Sequence, residues 1–72
     1  MTKPIELLDV VALNVDLPNE GLVRGQVGTV VELLSPDVFE VEFSDDGGKT
    51  YAMLPLAAEQ LILLHTAPVR AS

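Results

Sequence analysis

The chain of 72 residues contains no cysteine, no tryptophan and a single histidine. Without cysteine it can form no disulfide bond and no zinc–thiolate site, and it has no thiol nucleophile. A domain this short buries only about 60 to 65% of the surface that its unfolded form exposes, so its margin of stability is thin. We therefore expect its stability to come from a close-packed core or from a partner.

Basic residues are also scarce. Four Lys and Arg residues stand against eleven Asp and Glu residues, which gives a net charge of −7. Such a charge repels phosphate backbones and attracts basic surfaces. We therefore expect another protein with a basic surface as the partner, and we do not expect nucleic acid. A purely solubilising role of this charge is the simpler alternative.

Long apolar runs are missing from the chain. Glu6 and Asp9 interrupt the apolar residues near the N-terminus, which argues against a signal peptide, and no run approaches transmembrane length. We therefore expect a cytoplasmic protein that does not bind membranes. Hydrophobic residues nevertheless make up 49% of the chain. This composition excludes disorder, favours an exposed apolar patch and leaves homo-oligomerisation open.

Short apolar runs separated by turn signals predict one all-β domain over residues 1–64. The segment 5–8 is compatible with a helical turn or with an extension of the first strand. A long loop is predicted over 15–24, a single 3₁₀ turn over 55–60 and a flexible tail over 65–72. The predicted strands are 9–14, 25–34, 38–44, 49–54 and 61–64.

The third predicted strand has the clearest alternation in the chain. Phe39, Val41 and Phe43 share one face, while Glu40 and Glu42 lie on the other. A period of two is typical of a strand with one buried face. We therefore expect the two phenylalanines and Val41 to form the centre of the core.

A glycine interrupts the apolar pattern of the second predicted strand. Gly28 stands inside the run, and the apolar residues that follow are spaced by three at Val30 and Leu33. This pattern predicts a bend near residues 29–32 and a place where a Cβ would clash or a positive φ is needed. We assign structural roles to the glycines at bends and turns, namely Gly25, Gly28, Gly47 and Gly48.

The order of these elements resembles a five-stranded SH3-like barrel. The stretch Val-Arg-Gly-Gln-Val-Gly-Thr-Val-Val over 23–31 is similar to the glycine element of KOW-type barrels and to the Arg-Gly-x-x-Gly stretch of the nitrile hydratase β-subunit. Residues 6–64 resemble the small bacterial domain-of-unknown-function family 4926, which shares the Leu-Leu-Asp-Val-Val-Ala-Leu opening and the Glu-Val-Glu-Phe strand. The resemblance implies a fold and no settled activity.

Three possible catalytic or metal sites fail on chemical grounds. His65 stands at the start of the predicted tail, where no rigid element would orient it. Glu40 and Glu42 are about 6.6 Å apart along a strand. Acid–base catalysis by such a pair needs a cleft that raises one pKa above the other, and a convex face has no such cleft. The Asp45–Gly48 run lacks the alternating ligands of a calcium loop and suits a hairpin turn. We therefore predict no enzyme activity, no metal site and no cofactor.

These observations favour a non-catalytic binding module that docks on a basic or apolar surface of a partner protein, as an inhibitor or antitoxin-like protein would. The alternative is a structural accessory subunit of an enzyme or electron-transfer complex. Small SH3-like barrels of that kind are similar in ending on an acidic-to-apolar segment, here Glu-Gln-Leu at 59–61. A KOW-like RNA or ribosome-associated role rests on the fold resemblance alone. The candidate partner-binding residues lie on an acidic face and in the long loop, and they are Asp37, Glu40, Glu42, Asp45, Asp46, Leu17, Leu22 and Arg24.

Overall fold

A computed structural model describes residues 4–64, which form five strands and two 3₁₀ turns. This confirms the all-β prediction. The 3₁₀ turns are Pro18–Glu20, between the first two strands, and Ala58–Gln60, before the last. The strands are β1 (Val10–Leu13), β2 (Val27–Ser35), β3 (Val38–Ser44), β4 (Thr50–Ala57) and β5 (Leu61–Leu63).

All five strands belong to one antiparallel sheet with the order β4-β3-β2-β1-β5. Consecutive strands from β1 to β4 are neighbours, and β5 returns to pair with β1. Strands from both ends of this order, β4 and β5, send Leu56 and Leu61 into the same core. The sheet must therefore curl around its own inner face.

The core lies on the inner face of this curled sheet. Phe39, Val41 and Phe43 are all buried there, which confirms the prediction from the alternation of β3. Val11 and Leu13 of β1 and Val30 of β2 complete its centre. No buried side-chain polar atom among residues 4–64 lacks a hydrogen-bond partner. The inner face is therefore apolar and fully satisfied.

The second strand bends where its apolar spacing predicts. Its pairing with β3 shifts between Val30 and Glu32 and again between Leu33 and Ser35, which marks two bulges. Gly28 precedes the first bulge, and a Cβ there would lie 2.8 Å from the Glu42 carbonyl oxygen and 2.9 Å from the Phe43 ring. Close approach of β3 therefore explains this glycine.

The β3–β4 hairpin confirms the predicted turn. The Asp45 carboxylate accepts hydrogen bonds from the backbone N–H groups of Gly47 and Lys49, both at 2.9 Å. Gly48 has a φ of +82°, a conformation that favours glycine. The structural role predicted for Gly47 receives no support, because its added Cβ would meet only an ordinary contact at 3.4 Å.

Two predicted boundaries are wrong. The segment 5–8 forms neither a helix nor a strand extension, because Leu7 and Leu8 form a turn that precedes β1. The fourth strand continues through Pro55 to Ala57, so only Ala58–Gln60 is helical. Proline is tolerated there because β4 is an edge strand, where a missing N–H breaks no ladder. The Ala57 N–H donates to the Gln60 side chain at 2.8 Å.

The predicted loop over 15–24 is folded more tightly than its composition suggests. Leu17 and Leu22 form an isolated bridge around the first 3₁₀ turn, and Gly21 ends that turn with a φ of +72°. The Asp16 carboxylate accepts a hydrogen bond from the Arg24 N–H at 2.8 Å. The loop therefore has a defined structure that belongs to the body of the domain.

Among residues 4–64 there is no helix with the length and apolarity needed to cross a membrane. His65 and the predicted tail over 65–72 lie outside the described residues.

Candidate functional site

The outer face of the sheet is the surface on which the predicted acidic residues meet. Glu40 and Glu42 of β3 point away from the core, opposite Pro55 and Met53 of β4. Glu32 of β2 lies directly opposite Glu40. We call Glu32, Glu40 and Glu42 the acidic patch.

The first bulge of β2 is what places Glu32 in this patch. Thr29 lies opposite Glu42 on the outer face, and without a bulge a residue three positions later would face inward. The shift between Val30 and Glu32 restores Glu32 to the outer face. The sequence prediction included the bend but missed Glu32, and the bend itself was the signal that could have identified it.

Among the residues that the structure describes, two of the three carboxylates in the acidic patch have no partner. Within residues 4–64, neither Glu32 nor Glu40 has a hydrogen bond or an ion pair, whereas Glu42 accepts a hydrogen bond from the Thr50 hydroxyl at 2.6 Å. Cβ atoms of directly opposed residues are about 5 Å apart, and like charges in such a pair destabilise a sheet. A cation supplied from outside would relieve this repulsion.

The remaining predicted acidic residues lie in turns. Asp45 uses its carboxylate to close the β3–β4 hairpin, so its role is structural. Asp46 is exposed in the same hairpin, and Asp37 is exposed in the turn between β2 and β3. The structure thus separates these three residues from the acidic patch on the outer face.

The predicted loop residues are divided by the fold. Leu22 is only 1% exposed and belongs to the core, so its prediction as a contact residue is wrong. Leu17 is partly buried and packs against the same core. Arg24 is exposed, and Arg24 and Lys49 are the only basic residues between 4 and 64. Both lie in loops rather than on the outer face of the sheet.

An apolar row crosses the other half of the outer face. Ala12 pairs with Ile62 on one side and with Val27 on the other, so the three side chains lie side by side. Ala12 is only 8% exposed, although it does not belong to the cluster of side chains packed on the inner face. Ile62 and Val27 themselves remain 46% and 48% exposed. Sequence analysis missed this apolar row, formed by Ile62, Ala12 and Val27.

The apolar row adjoins the acidic patch through a polar residue. Thr29 follows Val27 on the same face of β2 and lies opposite both Val10 of β1 and Glu42 of β3. Met53, opposite Glu42, adds an exposed apolar side chain at the far edge. The outer face is therefore apolar over β5, β1 and the start of β2, and it is acidic at Glu32 of β2 and at Glu40 and Glu42 of β3.

The turn before β1 exposes a second, smaller apolar surface. Leu8 is 70% exposed and has a φ of +71°, which is unusual for a leucine. The Asp9 carboxylate accepts the Glu6 N–H at 2.8 Å, and the Leu8 N–H donates to the Val30 carbonyl at 2.7 Å. These contacts hold the turn in place. It presents Leu7 and Leu8 to solvent.

The arrangement of these groups suits binding. Among residues 4–64, no group of three or more acidic or histidine side chains is placed to hold a metal ion. The outer face offers strand-borne carboxylates beside the apolar row, and such an arrangement suits a surface that is both cationic and apolar.

One comparison identifies the family, and the others find no match. No curated protein and no solved structure shows a significant match to the chain. The family model described as Domain of unknown function (DUF4926) matches residues 7–63, which include all five strands. The chain therefore belongs to the DUF4926 family.

Proposed function

We propose that this chain is a non-catalytic module with an SH3-like barrel fold that binds a basic surface of a partner protein through its acidic patch. The fold assignment is supported by the long first loop, the 3₁₀ turn before the last strand, and the pairing of that strand with β1. The binding proposal is carried by Glu32 and Glu40, which lie directly opposite each other and have no pairing group within residues 4–64.

The distribution of charge supports a basic partner. All eleven acidic residues of the chain lie between positions 6 and 59, where Arg24 and Lys49 are the only cations. This field repels nucleic acid and anionic membranes and speeds encounter with basic proteins. A KOW-like contact with RNA is not required to explain Gly28, because close packing against β3 accounts for it.

The test is affinity purification from native lysate with a matched pair of variants. The variant Glu32→Gln/Glu40→Gln removes two charges from the acidic patch. The control Glu20→Gln/Glu59→Gln removes two exposed charges elsewhere and changes the net charge by the same amount. We expect a partner that native protein and control retain, that the patch variant loses, and that rising salt elutes.

Identical protein recovery on all three baits would contradict the proposal. The partner itself then separates the two roles. A basic effector whose activity falls on binding supports an inhibitor or antitoxin-like role. An enzyme or electron-transfer subunit that is unstable without this chain supports the accessory-subunit alternative.

A further inference from the structure

We propose that the occupant of the outer face is a basic amphipathic helix of the partner, with its apolar stripe on the apolar row and its cationic flank on the acidic patch. This inference rests on the proposed function and specifies its partner. It starts from the apolar row, which no element of the described chain covers.

The width of the apolar row suits a single helix. Ile62, Ala12 and Val27 occupy three neighbouring strands, which span about 10 Å at the usual strand spacing. An α-helix with its side chains is about 10 to 12 Å across, and its apolar stripe covers roughly a third of its circumference. One helix is therefore wide enough to cover the row. Packing a helix on a sheet is a standard arrangement that buries the apolar stripe of the helix and the apolar face of the sheet.

Charge complementarity decides which helix fits. Thr29 is the next residue after Val27 on the outer face of β2, and it lies directly opposite Glu42 of β3. A helix that packs on the apolar row therefore has one flank above Glu42. Glu32 and Glu40 continue the negative surface beyond it. Lys and Arg residues along that flank would pair with carboxylates that have no cation of their own among residues 4–64.

A second copy of the chain fits this surface poorly. Each copy carries a net charge of −7, and a symmetric contact through the outer faces would bring two acidic patches together. The exposed turn at Leu7 and Leu8 is a separate apolar surface, between Glu6 and Asp9. It serves as the competing location in the test.

The probe is a synthetic peptide of about 18 leucine and lysine residues, long enough to form a helix, with leucine at helical spacing. A scrambled peptide of the same composition keeps the charge and loses the apolar stripe. Both are titrated into the full-length, ¹⁵N-labelled protein while amide shifts are followed by NMR. We expect the largest shifts at Ala12, Val27 and Ile62 and on β3, and an affinity for the scrambled peptide that is about tenfold lower.

Two matched variants locate the apolar contact. Val27→Thr/Ile62→Thr keeps the β-branched shape of the row while making it polar, and we expect it to weaken binding about fivefold or more. Val23→Thr makes the same change at a loop position that is 57% exposed, and it should leave binding unchanged. Glu32→Gln/Glu40→Gln should weaken binding and reduce its dependence on salt, unlike Glu20→Gln/Glu59→Gln.

The outcomes separate this inference from the proposed function. If only the charge variants weaken binding and both peptides bind equally, the proposed function survives and the helix proposal fails. If neither set of variants matters, both fail. Shifts centred on Leu7 and Leu8, a mass that doubles with concentration, or contacts from residues 65–72 to Ile62 in the free protein would each assign the face to another occupant and overturn the proposal.

Discussion

The two faces of this sheet differ in how their side chains are packed and exposed. On the inner face the core side chains pack against one another, and Phe43 and Val41 have no exposed surface. On the outer face, Glu32 and Glu40 oppose each other, and Ile62 and Val27 stay half exposed. The inner face is thus held together by favourable packing within the chain, whereas the outer face includes a repulsive pair of like charges. Substitutions on the two faces should therefore change stability in opposite directions.

The largest effect should come from the centre of the inner face. Phe43→Ala removes a fully buried ring and should lower the free energy of unfolding by about 3 to 5 kcal/mol. This is a large share of what a small domain possesses. Chemical denaturation measures the loss, and Phe43→Leu should cost clearly less. An unchanged midpoint for Phe43→Ala would contradict the register of β3.

The loop contribution to the inner face is tested next. Leu22→Ala should lower the free energy of unfolding by about 2 to 4 kcal/mol, since this side chain is buried like a strand residue. Val23→Ala, one position later and exposed, should change it by no more than about 0.5 kcal/mol. Equal effects in thermal melts would show that the loop does not close over the core.

Gly28 tests how closely β2 and β3 approach. Gly28→Ala should destabilise by about 1 to 3 kcal/mol, because the added Cβ would meet a backbone oxygen that cannot move independently. Gly47→Ala is the control, since its Cβ meets only an ordinary contact, and it should change stability by about 0.5 kcal/mol or less. Circular dichroism melting compares the two. A stable Gly28→Ala protein would overturn the packing explanation.

The smallest effect has the opposite sign and belongs to the outer face. Glu40→Gln removes one of two directly opposed carboxylates and should stabilise the free protein by about 0.2 to 1 kcal/mol at low salt. High salt should shrink this gain, since screening already weakens the repulsion. Denaturation at two salt concentrations measures it. A loss of stability at both would show that Glu40 has a favourable contact in the free protein.

The sequence predicted the inner face of the strands well for a physical reason. In β3 the backbone is regular, so Phe39 and Phe43 reveal their burial through their spacing. The burial of Leu22 had no such signal, because a loop has no fixed period and its turn residues resemble those of an open loop. The extent of β4 was also missed, since a proline reads as a strand end unless its edge position is known.

The outer face was only half predictable. Glu40 and Glu42 follow from the alternation of β3, but Glu32 depends on a bulge whose position must be known to one residue. The apolar row depends on which strands are neighbours. Ile62 is 50 positions from Ala12 in sequence, and no local pattern indicates that β5 pairs with β1.

The edge strands bear on the colloidal behaviour of the free protein. An open sheet offers two free edges, and unpaired edges are templates for fibril growth. Here one edge, β5, is only three residues long. The other, β4, lacks a donor at Pro55 and has the Ala57 N–H occupied by Gln60. Both edges of the described sheet are therefore poor templates for strand addition between copies of this chain.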